Sequence, residues 1–548
     1  MRHRQTVYGV PMRGVIGSIF ILSPALAAFL SAFAGAFIGG CGASGLYLPL
    51  ALGAILTAGW LDDADFILSV VFLPCLCFCG YFLADAASHP PRPHCSWMLP
   101  RPVHGVTARL RICDRPPLSP ALARCDSGRG RWEGELVWMA PNYLGQRHAV
   151  TGRVQLRTRT REIQAELTQC QLGDELQVAG TMQSRSAANA DDGDMDWHGA
   201  SLHSRNILHT LEISRIHARW PATGRTFPQW IAALRIRLAV RLIDGIDNVD
   251  DARLLLALGM GMGEFPSRET RQRQAAAGTV HIFAISGMHV GMMALAIALA
   301  LRLFLLPLWA QWLGAGGLCM AYVVLTGAAP SSQRALMMTL LVLYSHFRRR
   351  PVSWLNALGC AGLAALLMNP LVVLNLGFLF SYLAVLLLLM RAPAIQNTAM
   401  RIGERALWLP RELRPYRRLK LIIGLVCGLQ TGLDAWLGTA GLGICLTRQL
   451  SLTAPIVNVL IAPLAYATLL LCPLRIVIGM MSPPLDNAIG TILGVFARLT
   501  RFASECGSYG ALCLPVAMPS KTMVMLYHLL LAVWLLNAPA RREDAHPH

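Results

Sequence analysis

The sequence predicts a polytopic α-helical membrane protein of about ten to twelve transmembrane helices with an inserted extracytoplasmic β-rich domain. Three observations predict it. The 548 residues are 54% hydrophobic and only 14% charged. Apolar runs recur that are long enough to cross a bilayer, which takes about 20 residues each. Between the early runs and the later ones, residues 88–227 change composition, with clustered prolines, many arginines and no apolar run of spanning length.

The chain opens on the basic string MRHRQTVYGVPMRG, followed by an apolar run from Val15 to Gly40. That run is long for a cleaved leader and more spans follow at once, so a retained first helix with a cytoplasmic start is expected. Runs near Ser44–Trp60 and Phe66–Asp85 complete an N-terminal transmembrane unit over residues 1–87. Three crossings then place residues 88–227 outside the cytoplasm, and long domains translocate largely regardless of their charge. Within this domain ARLRIC, RWEGELVWMA, HAVTGRVQLRTRT and ELQVAGTMQS alternate apolar and polar residues between Gly, Pro and Asn breaks, as the strands of a small barrel or sandwich do. Cys95, Cys113, Cys125 and Cys170 fall here, where an oxidising compartment permits disulfides, and their pairing is not readable from spacing. Cys75, Cys77 and Cys79 lack the two-residue gap of zinc knuckles and read as apolar filler. No cofactor or metal is expected.

Residues 228–278 carry apolar positions at helical spacing with arginines between them, too polar to span, and read as amphipathic helices at the membrane face. Residues 279–540 form the main transmembrane domain. Spans are expected near Thr279–Phe304, Trp309–Thr326, Gln333–Phe347, Trp354–Met368 and Leu371–Met390, then near Leu421–Gly443, Leu450–Leu471, Ile476–Phe496 and Met523–Leu536. This count leaves Arg348, Arg349 and Arg350, and the stretch from Arg391 to Lys420, on the cytoplasmic side, in keeping with the positive-inside rule. The net charge of +18 serves that rule first, and is also compatible with acidic headgroups or a polyanionic substrate.

Polar residues inside apolar runs are costly unless they meet partners. HIFAISGMHVGMM places His281, Ser286 and His289 in such a run. On one continuous helix Ser286 and His289 are i,i+3 neighbours and His281 lies roughly 80° from His289, so all three can face one cavity. Each also has a plain packing use, as a hydrogen bond to a neighbouring helix. Gly287 and Gly291 permit close approach or a helix break beside them. A second concentration, LTGAAPSSQRALMM, holds Thr326 and Arg334 around a helix start. Arg334 either snorkels to headgroups or holds phosphate bidentately. Asn356, Asn369, Asn375, Ser381 and Gln430 add polar points at membrane depth.

These strings together resemble the membrane core of the ComEC family, the bacterial channels that internalise single-stranded DNA in natural transformation. The His-x-x-Ala-Ile-Ser-Gly-x-His pattern lies at His281 to His289, Leu-Thr-Gly with its arginine at Leu325 to Arg334, Asn-Pro at Asn369–Pro370, Gly-Phe-x-x-Ser at Gly377–Ser381, and SLTAPIVNVLIAPL carries Asn458 and Pro463. The resemblance covers about residues 225–501 and implies an OB-type external domain, with a weak residue-level match there. It implies a multi-pass protein of the bacterial inner membrane. Its partners would be single-stranded DNA, membrane lipids and other competence proteins, such as a DNA receptor and a cytoplasmic motor or strand-binding protein. The expected strand path is His281, Ser286, Gly287, His289, Thr326, Arg334, Asn369 and Ser381, and the external domain offers Trp132, Trp138, Tyr143 and Trp197 for base stacking. Many members add a metallo-β-lactamase-like domain with a His-x-His-x-Asp-His cluster; this chain has no such string, and no nuclease activity is expected of it.

Two rivals belong to other classes. An intramembrane hydrolase would use Ser286 with His289 or His281 as base, but no membrane-depth carboxylate orients the base and the serine is not in a recognisable nucleophile turn. A small-molecule or lipid transporter fits the helices but leaves the basic external domain without a use, and no internal repeat is visible.

Overall fold

The computed structural model describes residues 32–33, 103–114, 122, 132–141, 147–158, 160–184, 202, 204–205, 207–222, 224, 226–263, 267–283, 286–349, 353–407, 416–479, 482–508, 513–517, 519 and 521–537. Tyr143, Trp197, Cys95, Cys125 and the three N-terminal spans, apart from Ala32 and Phe33, lie outside these residues.

The predicted β-rich domain is a closed barrel. Its strands are β1 (Val103–Asp114), β2 (Trp132–Pro141), β3 (His148–Ala149), β4 (Arg153–Arg157), β5 (Glu175–Ser184) and β6 (Ile207–Trp220), with helix α1 (Arg161–Gln169) between β4 and β5. The hydrogen-bonded order is β1-β5-β6-β4-β2-β3, and β1 also pairs with β2, which closes five strands into a ring and leaves β3 as a short appendage. Only β4 and β6 run parallel. This is the OB-like architecture: few strands, no open edge, one helix between strands. Alternation does what the sequence indicates, since Val106, Ala108, Leu110 and Ile112 of β1 are buried while Arg111 between them is exposed. Each large side chain so buried contributes about 1.5–3 kcal/mol of hydrophobic stabilisation. The β5–β6 register shifts between Ala179 and Gly180, and a Cβ on Gly180 would strike the Glu212 carbonyl oxygen, so only glycine allows that bulge.

Cys113 is a free thiol, and Cys170 is buried in the barrel core, its Sγ 3.4 Å from the Glu166 carbonyl oxygen. The barrel leads into the helical region through Asp174, a buried carboxylate that accepts from Arg219, the Gln171 N–H and the Ala222 N–H. Helix α2 (Phe227–Ile243) follows, opened by a capping box of Thr226 and Gln229, and Gln229 Nε2 also donates to Leu172 O at 2.6 Å.

Next come α3 (Val249–Met260), α4 (Arg268–Ala276), α5 (Val280–Phe283), α6 (Gly287–Leu303), α7 (Leu308–Leu325), α8 (Pro330–Phe347), α9 (Trp354–Met368), a 3-10 turn at Pro370–Leu374, α10 (Leu376–Leu407) and α11 (Tyr416–Thr447). A small ladder of β7 (Gln449–Ser451) with β8 (Cys513–Pro515) brackets α12 (Ala454–Gly479) and α13 (Pro483–Ser508), and α14 (Lys521–Asn537) ends the described chain. Four stretches among the described residues are long and apolar enough to cross a membrane: Leu308–Leu325, Leu376–Gly403, Leu419–Thr447 and Ala454–Gly479. Gly287–Leu303 and Trp354–Met368 are shorter apolar helices. The protein is therefore a membrane protein with a β domain before its main helical region.

Several boundaries differ from the hydropathy reading. The run expected to span from Thr279 to Phe304 breaks, with α5 ending at Phe283 and Ser286 starting a new helix. The expected span Ile476–Phe496 crosses the break between α12 and α13. Helix α10 does not stop at Met390 but runs through Arg391 and Pro393 to Leu407. A hydropathy window ends at the first charge, whereas the backbone continues wherever its hydrogen bonds can. In the stretch read as surface helices, α3 has nine of its twelve residues buried and packs with α12 and α13 in one apolar core.

Candidate functional site

The motif residues around Ser286 converge where α6 begins. Ser286 is the N-cap of α6 and forms a capping box with His289: the His289 Nδ1 accepts the Ser286 backbone N–H at 2.8 Å, and the Ser286 Oγ lies 3.2 Å from the same nitrogen. A histidine used this way is locked to α6, and its Nδ1 carries no proton. Its other nitrogen, Nε2, is buried with no partner among the described residues, and the whole residue is 1% exposed. Tyr466 of α12 closes over it, with the two rings edge-on at 6.2 Å and the tyrosine hydroxyl 2.7 Å from the Met288 sulfur.

Arg334 reaches the same place from α8. It is 3% exposed on the buried face that includes Ser332, Ala335 and Met338. Its Nε and Nη2 donate to the Ser381 Oγ of α10 at 3.0 and 2.7 Å, its Nη1 meets the Met338 sulfur at 3.3 Å, and its guanidinium lies 5.5 Å from the centre of the Tyr382 ring. No carboxylate forms an ion pair with it among the described residues. Gly287, in the first turn of α6, is where Nη2 comes closest: a Cβ there would strike it. A buried cation without a counter-charge therefore faces the positive end of a helix dipole, an arrangement that is unfavourable alone and complementary to an anion.

The structure thus brings together Ser286, Gly287, His289, Arg334 and Ser381. It does not bring the others. His281 is exposed on α5, on a helix separate from His289, so the angular relation of one continuous helix does not apply. Thr326 is buried but caps α7, bonding the Val323 carbonyl, and its own carbonyl accepts from Arg235 of α2. Asn369 caps the 3-10 turn through Leu371 N and donates to Ser204 O at 2.8 Å, which makes it, with Asn375, a joint to the segment preceding β6.

On the barrel, Trp132 is buried in the core and is unavailable for stacking. Trp138 is half-buried, with the Arg147 guanidinium 4.7 Å from its ring centre. The sequence reading missed Trp220, which is 38% exposed with Arg109 4.2 Å over its ring. Arg109 stands opposite Trp138 across the β1–β2 pair, so Trp138, Arg109 and Trp220 form one outward row. Alternation along β6 carries no signal for it, because a register shift against β5 at Gln177/Val178 sets Trp220 opposite Glu175 on the outward face. Glu175 anchors the row, paired with Arg109 at 2.7 Å and Arg111 at 2.8 Å, and the Arg111 hydrogen bond, helped by Arg109, holds its carboxyl below the usual carboxylate range.

A small closed barrel joined to helices long and apolar enough to span a membrane defines a class: a membrane protein with a β domain before its helical region. The competence protein family model matches residues 258–541, just over half of the chain, and the chain belongs to that family. It is similar to the uncharacterized protein YcaI of Escherichia coli K12, 34% identical over 137 residues, which cover 23% of this chain and 18% of that protein. It is also similar to ComE operon protein 3 of Bacillus subtilis 168, 27% identical over 168 residues, covering 28% of this chain and 20% of the relative. Each match thus spans about a fifth of the relative's length. No solved structure matches the chain.

Proposed function

We propose that this protein is an inner-membrane channel that passes single-stranded DNA into the cytoplasm in natural transformation, with the barrel outside and the N-terminus inside. The observation that carries the reading is the buried Arg334 beside the α6 N-terminus, a cationic centre with no carboxylate among its partners. A phosphodiester supplies the missing charge, and the partners already present, a serine hydroxyl and a thioether, are weak enough to be exchanged as a strand moves. The Trp138–Arg109–Trp220 row suits unpaired bases by stacking and cation–π contact. Other competence proteins would deliver the strand and draw it inward.

The hydrolase reading has one observation in its favour, the 3.2 Å between Ser286 Oγ and His289 Nδ1. Against it, that nitrogen already accepts the Ser286 N–H, and no carboxylate among the described residues orients Nε2. The test is internalisation of labelled DNA in the source bacterium, comparing wild type, a deletion, Ser286→Ala, His289→Ala and Arg334→Ala at matched membrane abundance. Channel function predicts that deletion leaves DNA at the surface, that Arg334→Ala is severely impaired, and that Ser286→Ala and His289→Ala lose less. A hydrolase predicts the reverse ranking, with Ser286→Ala as damaging as deletion. Unchanged uptake in a competent deletion strain overturns the channel reading.

A further inference from the structure

Two charges stand near the middle of neighbouring spans. Arg391 lies in the stretch Leu376–Gly403 of α10 and Asp434 in Leu419–Thr447 of α11, each about halfway along. A charged side chain at the centre of a spanning helix is costly to insert, so such a residue points to a use. Their only mutual contact is Arg391 Nε to Asp434 Oδ1 at 3.4 Å. A pair serving architecture alone is normally bidentate and fully bonded. Here the second carboxylate oxygen, Oδ2, is buried with no hydrogen-bond donor among the described residues. In the same position the guanidinium also lies 4.9 Å from the centre of the Trp534 ring of α14, a contact that does not depend on the carboxylate.

We infer that Asp434 is a proton-binding site, with Arg391 as its movable counter-charge, and that proton passage through it drives the strand movement proposed above. The inference rests on that channel reading only for what the protons drive. A proton from one side of the membrane adds to Oδ2 and neutralises the carboxylate, which releases Arg391 from the pair while its contact with the Trp534 ring remains. When the proton leaves toward the other side, Arg391 pairs with the restored carboxylate. One proton crosses per cycle, and nothing is oxidised or reduced. Packing leaves few other groups to titrate. Among the described residues Arg391 is the α10 side chain that bonds Asp434, and Gly438 one turn on admits Leu387. Helix α12 meets α11 through Pro455 and Val459, which do not titrate. From α14 come Tyr527, whose hydroxyl donates to Leu437 O at 2.5 Å, and His528, packed on Gly441 with its Nε2 buried and without a partner among the described residues. Asp434, Leu437 and Gly441 share one stripe of α11 at i, i+3 and i+7, so His528 is the next titratable group along that face.

The test places the full-length protein in liposomes that enclose a pH-sensitive dye, under an imposed proton gradient and with a single-stranded oligonucleotide present. Wild type is compared with Asp434→Asn and with the double variant Asp434→Asn/Arg391→Gln, which removes both charges and so leaves neither buried alone. Wild-type liposomes should equilibrate faster than protein-free ones. Both variants should fall to the protein-free rate, with the double variant keeping wild-type thermal stability. Wild-type flux equal to that of empty liposomes, or wild-type flux in the folded double variant, overturns the inference. DNA uptake by the deletion strain is a separate arm: loss of uptake there without any proton flux in liposomes removes the coupling and leaves the channel, whereas proton flux with uptake unaffected by deletion removes the channel and leaves the proton site.

Discussion

Two arginines are almost equally buried, and their surroundings are opposite. Arg475 of α12, 2% exposed, donates to Leu242 O at 2.8 Å, to Asp244 O at 2.6 Å and to Asp486 Oδ1 at 3.1 Å. It ties the end of α2 to α12 and to the start of α13, and its charge is answered. Arg334, 3% exposed, has a serine hydroxyl, a thioether and an aromatic face. Burial alone therefore does not distinguish a structural charge from a working one. What distinguishes them is whether the neighbours satisfy the charge at rest, because an unsatisfied cation is stabilised by whatever anion arrives.

The largest effect should come from breaking the satisfied side. Arg475→Ala leaves Asp486 and two backbone carbonyls without their donor, and removing one partner of a buried pair costs about 3–5 kcal/mol. Membrane abundance and thermal stability in detergent should both collapse. Arg334→Gln should do the opposite, with a melting temperature near wild type and strand internalisation lost. A loss of stability as large as that of Arg475→Ala would make Arg334 structural and end the distinction.

Gly287→Ala sharpens the contrast by leaving every charge in place. Its Cβ displaces Nη2 of Arg334, and overpacking of this kind costs about 1–3 kcal/mol. Uptake should fall by more than stability does, and Gly291→Ala, where nothing lies near the added carbon, should be silent in both. On the barrel, Trp138→Ala and Trp220→Ala should each weaken binding of single-stranded oligonucleotides by about 1–3 kcal/mol, the worth of one stacked base. Trp132→Ala should instead lower stability, since that ring is core.

The smallest expected effect is one of pH. Glu175 has a folded-state pKa lowered chiefly by the Arg111 hydrogen bond. Its ion pairs therefore stabilise the barrel fully above the unfolded carboxylate value of about 4.3, and that contribution is lost as pH falls through the lower folded value. Protection factors of the β1 and β5 amides in the full-length protein, corrected for the intrinsic slowing of exchange in acid, should fall on acidification below that point. Glu175→Gln should remove this part of the acid dependence. An unchanged acid profile in the variant would detach the pair from barrel stability.

Much of the fold was legible because it follows from short-range patterning. The alternation in ARLRIC and ELQVAGTMQS marks strands, and the β-rich segment between apolar runs is a barrel. The motif His281 to His289 announced a polar centre, and Ser286 with His289 proved to be i,i+3 partners on one helix turn. What local pattern could not reveal was where each polar group points. Asn369 and Thr326 read like pore residues because polarity at membrane depth is one-dimensional information. Their side chains are occupied by a turn, a helix end and the barrel joint. Trp132 and Trp220 look alike in a string, and strand register alone sends one inward and leaves the other on the surface. Asp434 and Arg391 were missed as a pair because a hydropathy window stops at Arg391, while the helix does not.

By itself the sequence determined the class of protein: a chain this apolar, with runs this long, must place helices in a bilayer, and its alternating segment must form a sheet with one face buried. It also determined the family, because motif identity survives without geometry. Only the tertiary structure decided which charges are answered. Partnership between Arg334 and Ser381, Arg475 and Asp244, or Arg391 and Asp434 joins residues far apart in the chain, and no pattern along one helix carries the distance to another. The electrostatic cost of burial depends on that distance and on the low dielectric around it, so function here is set by packing that residue order specifies only through the whole fold.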